Sequence, residues 1–480
     1  MIGRGGIVVI GDSLVDRDVE GRADRLCPDA PAPVLDELET TSRPGGAALA
    51  AAIASAEGAA VTLVTAIGAD PAGDDLRRML SECDVAVVDL GLAGPTPEKI
   101  RLRSGGRVLL RLDRGGPPPA VGSVACWRPR SGDAPGAVLV SDYGRGITAE
   151  ASVRDLVVEL GVPVVWDPHP RGACPVPGTR VVTPNRSELP GSPITAGLSE
   201  VSAAAGNALL EWGARGIAVT LGAGGALLVD GDGPPLAVPT PAVDGGDTCG
   251  AGDCFAAVVT RCLSGGALAS EAVIEGVRAA SAFVASGGAG AWIPLRGSPA
   301  QACQVSGGAG HDRPMPLQRF SEGAPDARGG AAVAHAGHGR QTVVATGGCF
   351  DILHAGHLHL LEAAGALGDR LVVLVNSDSS IRRLKGPDRP VVAEADRVAM
   401  LEALACVDAV VVFDDDTPAP ALRRLRPDVF VKGGDYSGRP LPEAAVLASW
   451  GGQAVVVPYL AGRSTTGLLR RVAAEQTPSG

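Results

Sequence analysis

Continuous apolar runs recur along the chain, each closing on a glycine or a polar turn. They are "IVVI" (7–10), "VTLVTAIG" (61–68), "AVLVSDYG" (137–144), "VPVVWDP" (162–168), "RVVTPN" (180–185), "IAVTLG" (217–222), "LVVLVNSD" (371–378) and "VFVKGGD" (429–435). Runs without polar alternation predict strands buried on both faces. The amphipathic segments between them predict helices covering parallel sheets, hence an α/β fold. Ligands of such sheets bind beyond the carboxyl ends of the strands, so chemistry is expected just after each run.

One segment breaks this rhythm. Residues 295–340 are rich in Gly, Ala, Pro and Ser and lack sustained periodicity. A structureless stretch of this length is unusual inside one compact domain, and it reads as a linker. The expected organisation is a domain over 1–297, a flexible linker over 298–340 and a second domain over 341–480. Both domains have ordinary sizes. His311, His335 and His338 fall in the linker and read as solvated bystanders.

Composition adds exclusions. With 480 residues, 45% hydrophobic and 20% charged, the chain has ample material for more than one core. No apolar run reaches the roughly 18 residues of a membrane span, and "MIGRGGIVVIGDSLVD" reads as a buried first strand rather than a leader. A net charge of −11 argues against a nucleic-acid partner. The ten cysteines are scattered without a C-x-x-C pair, as expected of reduced thiols in a cytoplasmic protein.

The first domain carries "DGGDTCGAGDCFAAVVTRCL" (244–263). Gly250, Ala251 and Gly252 precede Asp253, and an apolar helical pattern begins at once with Phe255, Val258, Val259 and Cys262. Small residues at a loop-to-helix junction let backbone N–H groups face an anion, and the helix dipole adds to the attraction. A carboxylate beside such a cradle is suited to take a proton from an attacking hydroxyl. An isolated Gly-Asp would more simply be a helix start.

The string "DTCGAGD" resembles a signature of the ribokinase-like sugar kinases. "VVIGDSLVDRDVEG" is similar to that family's sugar-binding first strand, and "RPGGAALAAAIASAEG" to its diglycine motif. "VLVSDYGRG", "VVWDPHPRG" and "VVTPNRSE" are similar to the strand ends around the nucleotide and magnesium. "RLCPDAPAPVL" (25–35) resembles one subgroup, the heptose 7-phosphate kinases. The resemblance covers roughly 5–295 and implies a ribokinase-like fold. It implies Asp253 as catalytic base and Gly250, Ala251 and Gly252 as the anion hole. Asn185, Glu188, Thr220 and Gly222 would serve Mg-ATP, and Asp12, Asp16, Gly45 and Gly46 the sugar. Without the resemblance, Asn185 reads as a turn residue and Glu188 as a helix N-terminal acid. Lys99, Arg101 and Arg111 in "EKIRLRSGGRVLLRLD" alternate along strands; they either grip a sugar phosphate or are solvated face charges. Two departures, Leu49 where the family has Asn and His169 where it has Lys, leave the exact sugar open.

The second domain concentrates three of the chain's seven histidines, His354, His357 and His359, in "TGGCFDILHAGHLHLLEAAGALGDRL" (346–371). A zinc site needs four ligands, and no cysteine or carboxylate has matching spacing. Helix packing accounts for His359 but not for the "HAGH" quartet after "CFD". A strand ending in two glycines, then a helix start, offers free N–H groups to a phosphate. Gly356 permits close approach, and two imidazoles add side-chain donors.

"G-C-F-D-I-L-H-A-G-H" resembles the H-x-G-H signature of the cytidylyltransferase-like nucleotidyltransferases, which implies a Rossmann-like fold over about 341–475. His354, His357 and Lys385 would be catalytic, facing a triphosphate. Gly348, Phe350, Asp351, Asp378, Arg397, Lys432, Asp435, Ser464 and Thr465 would line the nucleotide site. Lys385 also reads as a solvated loop cation, and Ser464 or Thr465 as an N-cap. "VKGGDY" is similar to the heptose 1-phosphate adenylyltransferases.

The two domains in this order resemble the bifunctional enzymes of ADP-heptose synthesis. The resemblance implies C1 phosphorylation of D-glycero-D-manno-heptose 7-phosphate, then adenylyl transfer from ATP to heptose 1-phosphate, with Mg²⁺ entering with ATP and no fixed protein-only metal site. The expected partners are ATP, heptose phosphates, a separate bisphosphate phosphatase and further copies of the chain in a homo-oligomer. The same two chemistries on another sugar phosphate, or a CTP-dependent second domain, are the alternatives.

Overall fold

The computed structural model describes residues 5–116, 120–124, 127–129, 134–193, 196–231, 233–240, 246–291, 341–434 and 441–458. The expected linker 298–340, and Asp435, Ser464 and Thr465, lie outside the described residues.

In chain order the first strands are β1 (Gly6–Gly11), β2 (Ser13–Leu26), β3 (Pro33–Gly46), β4 (Val61–Thr65), β5 (Val85–Asp89), β6 (Glu98–Ser104), β7 (Arg107–Arg114), β8 (Pro135–Ser141) and β9 (Val164–Asp167). They continue with β10 (Val181–Val182), β11 (Ile217–Thr220), β12 (Ala226–Val229), β13 (Leu236–Val238), β14 (Val343–Gly348), β15 (Arg370–Asn376), β16 (Ala409–Phe413), β17 (Val429–Gly434) and β18 (Gln453–Pro458). The apolar runs read from the sequence are these central strands.

Two sheets result. The main one has the order β16-β15-β14-β17-β18-β13-β12-β11-β10-β9-β8-β1-β4-β5. Its strands are covered on both faces. In β1, Val8 and Ile10 enter one core, with Val153, Leu156 and Val201 of helices Ala151–Glu159 and Leu198–Trp212. Ile7 and Val9 enter the other, with Leu49, Leu76, Phe255 and Val259 of helices Ala47–Ala56, Pro71–Glu82 and Ala251–Ser264. Two-sided burial is why these strands are uniformly apolar.

β11, β12 and β13 form an antiparallel meander, so β13 runs in the direction of β11. β13 then pairs in parallel with β18 at Leu236 and Val456, and the Val456 N–H donates to the Pro235 carbonyl at 2.9 Å. The carboxyl ends of β11 and β18 therefore point to the same edge of one sheet.

The second sheet, β3-β2-β6-β7, stands over the carboxyl end of β1. β2 and β3 pair from Ser13–Gly46 to Leu26–Pro33, and β6 and β7 set Lys99 opposite Asp113 and Arg101 opposite Arg111. Its outer strand β7 is exposed throughout, with Leu110 57% and Leu112 42% accessible. Among the described residues, no helix is long and apolar enough to cross a membrane.

Candidate active sites

The first site gathers at the start of the helix Ala251–Ser264. Gly250 caps it with φ 81°, a left-handed conformation that glycine adopts without strain. A Cβ on Gly250 would also lie 2.9 Å from Leu49 Cδ2. The first amides of a helix lack intrahelical acceptors, so the stretch from Gly250 to Asp253 faces an incoming anion with N–H groups and the positive end of the dipole. Asp253 is buried, and both its carboxylate oxygens accept from the Tyr143 hydroxyl, at 2.9 and 3.0 Å. Burial pushes its pKa up to about 7, although Tyr143 and Lys99 pull the other way. An aspartate poised there is half ionised near neutral pH, the condition under which a general base works best.

The elements around Asp253 are fixed by local chemistry. Asp12 follows β1, and its carboxylate accepts the N–H groups of Tyr143 (3.0 Å), Arg145 (2.9 Å) and Ile147 (3.2 Å). It holds the Asp-Tyr-Gly turn in place. Asp16 on β2 accepts from Arg101 Nη1 at 2.9 Å, and Arg101 Nη2 reaches Cys249 Sγ at 3.1 Å, linking the second sheet to the anion-hole loop. Gly45 leaves room for Asp16, because a Cβ there would stand 2.6 Å from its Oδ2. Gly46, at φ 63°, lets the backbone pass Asp12 and the Tyr143 ring. Lys99 Nζ lies 5.6 Å from that ring's centroid. Arg111 is exposed and paired with Asp113 at 2.6 Å.

At the strand ends beyond, Asn185 bridges to Thr220, and Glu188 Oε2 accepts the Asn185 N–H at 2.8 Å. Gly222 opens the next turn at φ 62°. Asp167, at the end of β9, accepts from Thr183 Oγ1 at 2.7 Å. Burial, then the charges of Asp253 and Glu188, raise its pKa well above the carboxylate range. Burial raises Glu188 as well. Carboxylates crowded beside an anion cradle suit a divalent cation shared with phosphate oxygens. No group of three or more His, Cys, Asp or Glu among the described residues could hold a metal by itself. Leu49 is buried in the core, and His169 Nδ1 accepts the Arg171 N–H at 3.2 Å.

The second site lies where β14 ends. His354 caps the helix Ala355–Gly365, its Nδ1 accepting the Gly356 N–H at 3.1 Å. In the neutral ring this places the proton on Nε2, which becomes a donor. The His357 ring stacks on His354 with centroids 3.9 Å apart, and Phe350 stands 5.2 Å away. Burial and the neighbouring His354 lower the His357 pKa to about 4, against the Ile352 carbonyl that favours its charged form. Its Nδ1 is buried without a partner. Lys385, exposed at the end of helix Asp378–Lys385, contributes positive charge towards His357.

Most other nucleotide-site residues of this domain build the frame. Arg397 is fully buried and donates to the carbonyls of Cys349 (2.7 Å), Asn376 (2.9 Å) and Val392 (3.1 Å) and to Asp378 Oδ1 (2.8 Å). It ties the ends of β14 and β15 to the following helix. Asp351 accepts from the Val391 and Val392 amides, at 2.6 and 3.0 Å, and from Arg389, anchoring the loop before helix Glu394–Glu402. Phe350 takes φ 48° beneath Gly348. Lys432 on β17 pairs with the buried Glu443 at 3.0 Å. Tyr143 and Asp167 received no individual role from the sequence; their signal is their place in "VLVSDYGRG" and "VVWDPHPRG", at the ends of apolar runs.

Comparison with known proteins finds two families on the chain. Residues 5–102 and 152–296 match the pfkB family of carbohydrate kinases, and residues 345–442 match the cytidylyltransferase-like family. The "Bifunctional protein HldE" of Streptomyces coelicolor is 52% identical, across 97% of this chain and 96% of its own. That of Caulobacter vibrioides is 35% identical, across 97% and 96%. Among solved structures, the tetrameric inhibited form of phosphofructokinase-2 from Escherichia coli overlays with TM-score 0.47 and 20% identity, covering 59% of this chain and 95% of that one.

Proposed function

Because the chain belongs to the bifunctional HldE family, with a carbohydrate kinase half and a nucleotidyltransferase half, we propose that it performs two steps of ADP-heptose formation. The supporting observation is the pairing on one chain of a carboxylate poised near pH 7 at one helix start with two stacked imidazoles at another. In the first step Asp253 takes the proton of the C1 hydroxyl of D-glycero-D-manno-heptose 7-phosphate. That oxygen attacks the γ-phosphorus of ATP, and ADP leaves. The amides from Gly250 to Asp253 meet the charge that develops. Asn185 and Glu188 would hold Mg²⁺, which lowers the repulsion between phosphate oxygens when bound.

In the second step an oxygen of heptose 1-phosphate attacks the α-phosphorus of ATP, releasing pyrophosphate. The attacking oxygen is already anionic, so no base is needed. His354, His357 and Lys385 orient and stabilise the triphosphate. The two steps require removal of the 7-phosphate between them, the work of a separate phosphatase. The domains proposed are 1–297 and 341–480, joined by 298–340, in a cytoplasmic enzyme. The exposed leucines of β7 suit contact with another copy of the chain.

A second reading keeps both chemistries and changes the sugar phosphate. It is favoured by Leu49, whose burial puts no polar group from that position into the site. Phosphorus NMR with Mg-ATP and heptose 7-phosphate decides between them. The proposal expects a heptose bisphosphate, then ADP-heptose and pyrophosphate once a phosphatase is added. Absence of the bisphosphate, with turnover of another sugar phosphate, would establish the second reading.

A further inference from the structure

Tyr143 has no role in the steps above, yet it makes the closest contact to the group that starts them. Its hydroxyl donates to both oxygens of Asp253, at 2.9 and 3.0 Å, across a sequence separation of 110 residues. The residue is anchored through its main chain, and its ring has neighbours on two sides. Asp12 accepts the Tyr143 N–H at 3.0 Å. Gly46 borders the ring, where an added Cβ would reach ordinary contact distance at 3.4 Å. Lys99 Nζ stands 5.6 Å from the ring centroid. With its main chain anchored by Asp12, the hydroxyl bonded to both oxygens sets where the carboxylate points. Lys99, Asp16, Asp167 and Glu188 are the other charged groups acting on this pair.

We infer that Tyr143 is a positioning residue for phosphoryl transfer: it holds the Asp253 carboxylate through both oxygens and releases one of them to the substrate hydroxyl. A carboxylate taking a proton must offer an oxygen to that hydroxyl at hydrogen-bond distance. With both oxygens on one phenol, the resting base is oriented, and each oxygen keeps a lone pair for a second donor. The arriving hydroxyl takes one oxygen, and Tyr143 keeps the other and hence the orientation. The proton then moves from substrate oxygen to Asp253 as the oxygen–phosphorus bond forms and the bond to ADP breaks. Tyr143 neither gains nor loses a proton. The tyrosine thus acts through Asp253, and the inference rests on the reading of Asp253 as base.

The test uses the full-length protein with Mg-ATP and heptose 7-phosphate. Tyr143→Phe keeps the ring and removes the hydroxyl. It should lower kcat about 10- to 100-fold, the cost of a misaligned reacting group, with KM for both substrates within about twofold. Unchanged kcat, or a raised KM with kcat intact, overturns the inference; the latter would make Tyr143 a substrate contact instead. An independent measurement covers a Phe variant that fails to fold. With 3-fluorotyrosine at position 143, the fluorine resonance should shift on adding heptose 7-phosphate and stay in place with Mg-ATP alone. No shift with the sugar, in protein that turns it over, also overturns it. Asp253→Asn separates the two ideas: if that variant remains active the base assignment fails, whereas an inactive Asp253→Asn beside a fully active Tyr143→Phe removes only the role of Tyr143.

Discussion

The helices Ala251–Ser264 and Ala355–Gly365 both begin beyond strands of the main sheet, and both present the positive end of their dipole at that start. Their caps differ. One is Gly250 at φ 81°, followed by a buried aspartate; the other is His354, followed one turn later by a second imidazole stacked on it. Burial drives the two titrating groups in opposite directions, Asp253 up to about 7 and His357 down to about 4. Desolvation disfavours whichever form is charged, so it makes an aspartate a better base and keeps a histidine neutral. The acceptors explain the choice. A sugar hydroxyl must lose a proton to attack, whereas a sugar phosphate is already anionic. On the proposed function, one helix start therefore needs a base and the other only donors.

The sharpest way to break this contrast is to remove each side of it in the full-length protein. Asp253→Asn should lower sugar phosphorylation about 10³-fold, within the range of a lost general base, and leave nucleotidyl transfer unchanged. Radiolabelled ATP with product separation reads both. His357→Ala should do the reverse, lowering nucleotidyl transfer about 10²-fold, the scale of one lost charge-stabilising donor. A loss in both activities from either change would mean that the two starts do not act separately.

The frames can be distinguished as well as the chemistry. Arg397→Met removes the buried cation that serves three carbonyls and Asp378. Breaking such a set costs about 3–5 kcal/mol, so the nucleotidyltransferase half should melt earlier in calorimetry while the kinase half keeps its transition. Equal shifts in both would show that the strand pairing of Leu236 with Val456 makes one cooperative unit of the two halves.

The contrast was only partly readable in the sequence. The main sheet was legible because two-sided burial makes its strands apolar without interruption, as in β1 and β8. Of the second sheet only β6 and β7 were, through the alternating cations of "EKIRLRSGGRVLLRLD". Strand β2, "SLVDRDVEGRADRL", is charged over much of its length because it stands over the site rather than inside a core, so no hydrophobic period marks it. The start of the helix Ala251–Ser264 was visible from Gly250–Asp253 because capping is local. What was hidden depends on distant partners. Nothing near Tyr143 announces Asp253. Nothing in "AEADRVAMLEAL" announces that Arg397 is buried on three main-chain carbonyls. The join at Leu236–Val456 was hidden for another reason, since the three residues of β13 are too few for any pattern.

The most direct measurement is the ratio of the two activities, at limiting substrate, in one preparation as pH is lowered from 8 to 6. Asp253 must be ionised to accept a proton, so its raised pKa of about 7 makes kinase activity fall roughly tenfold over that span. His357, at about 4, stays neutral throughout, and nucleotidyl transfer should hold to within about twofold, the loss expected as a phosphate monoester nears its second pKa of about 6. A kinase-to-transferase ratio that falls about five- to tenfold is the predicted result; a ratio that stays constant or rises would contradict the account.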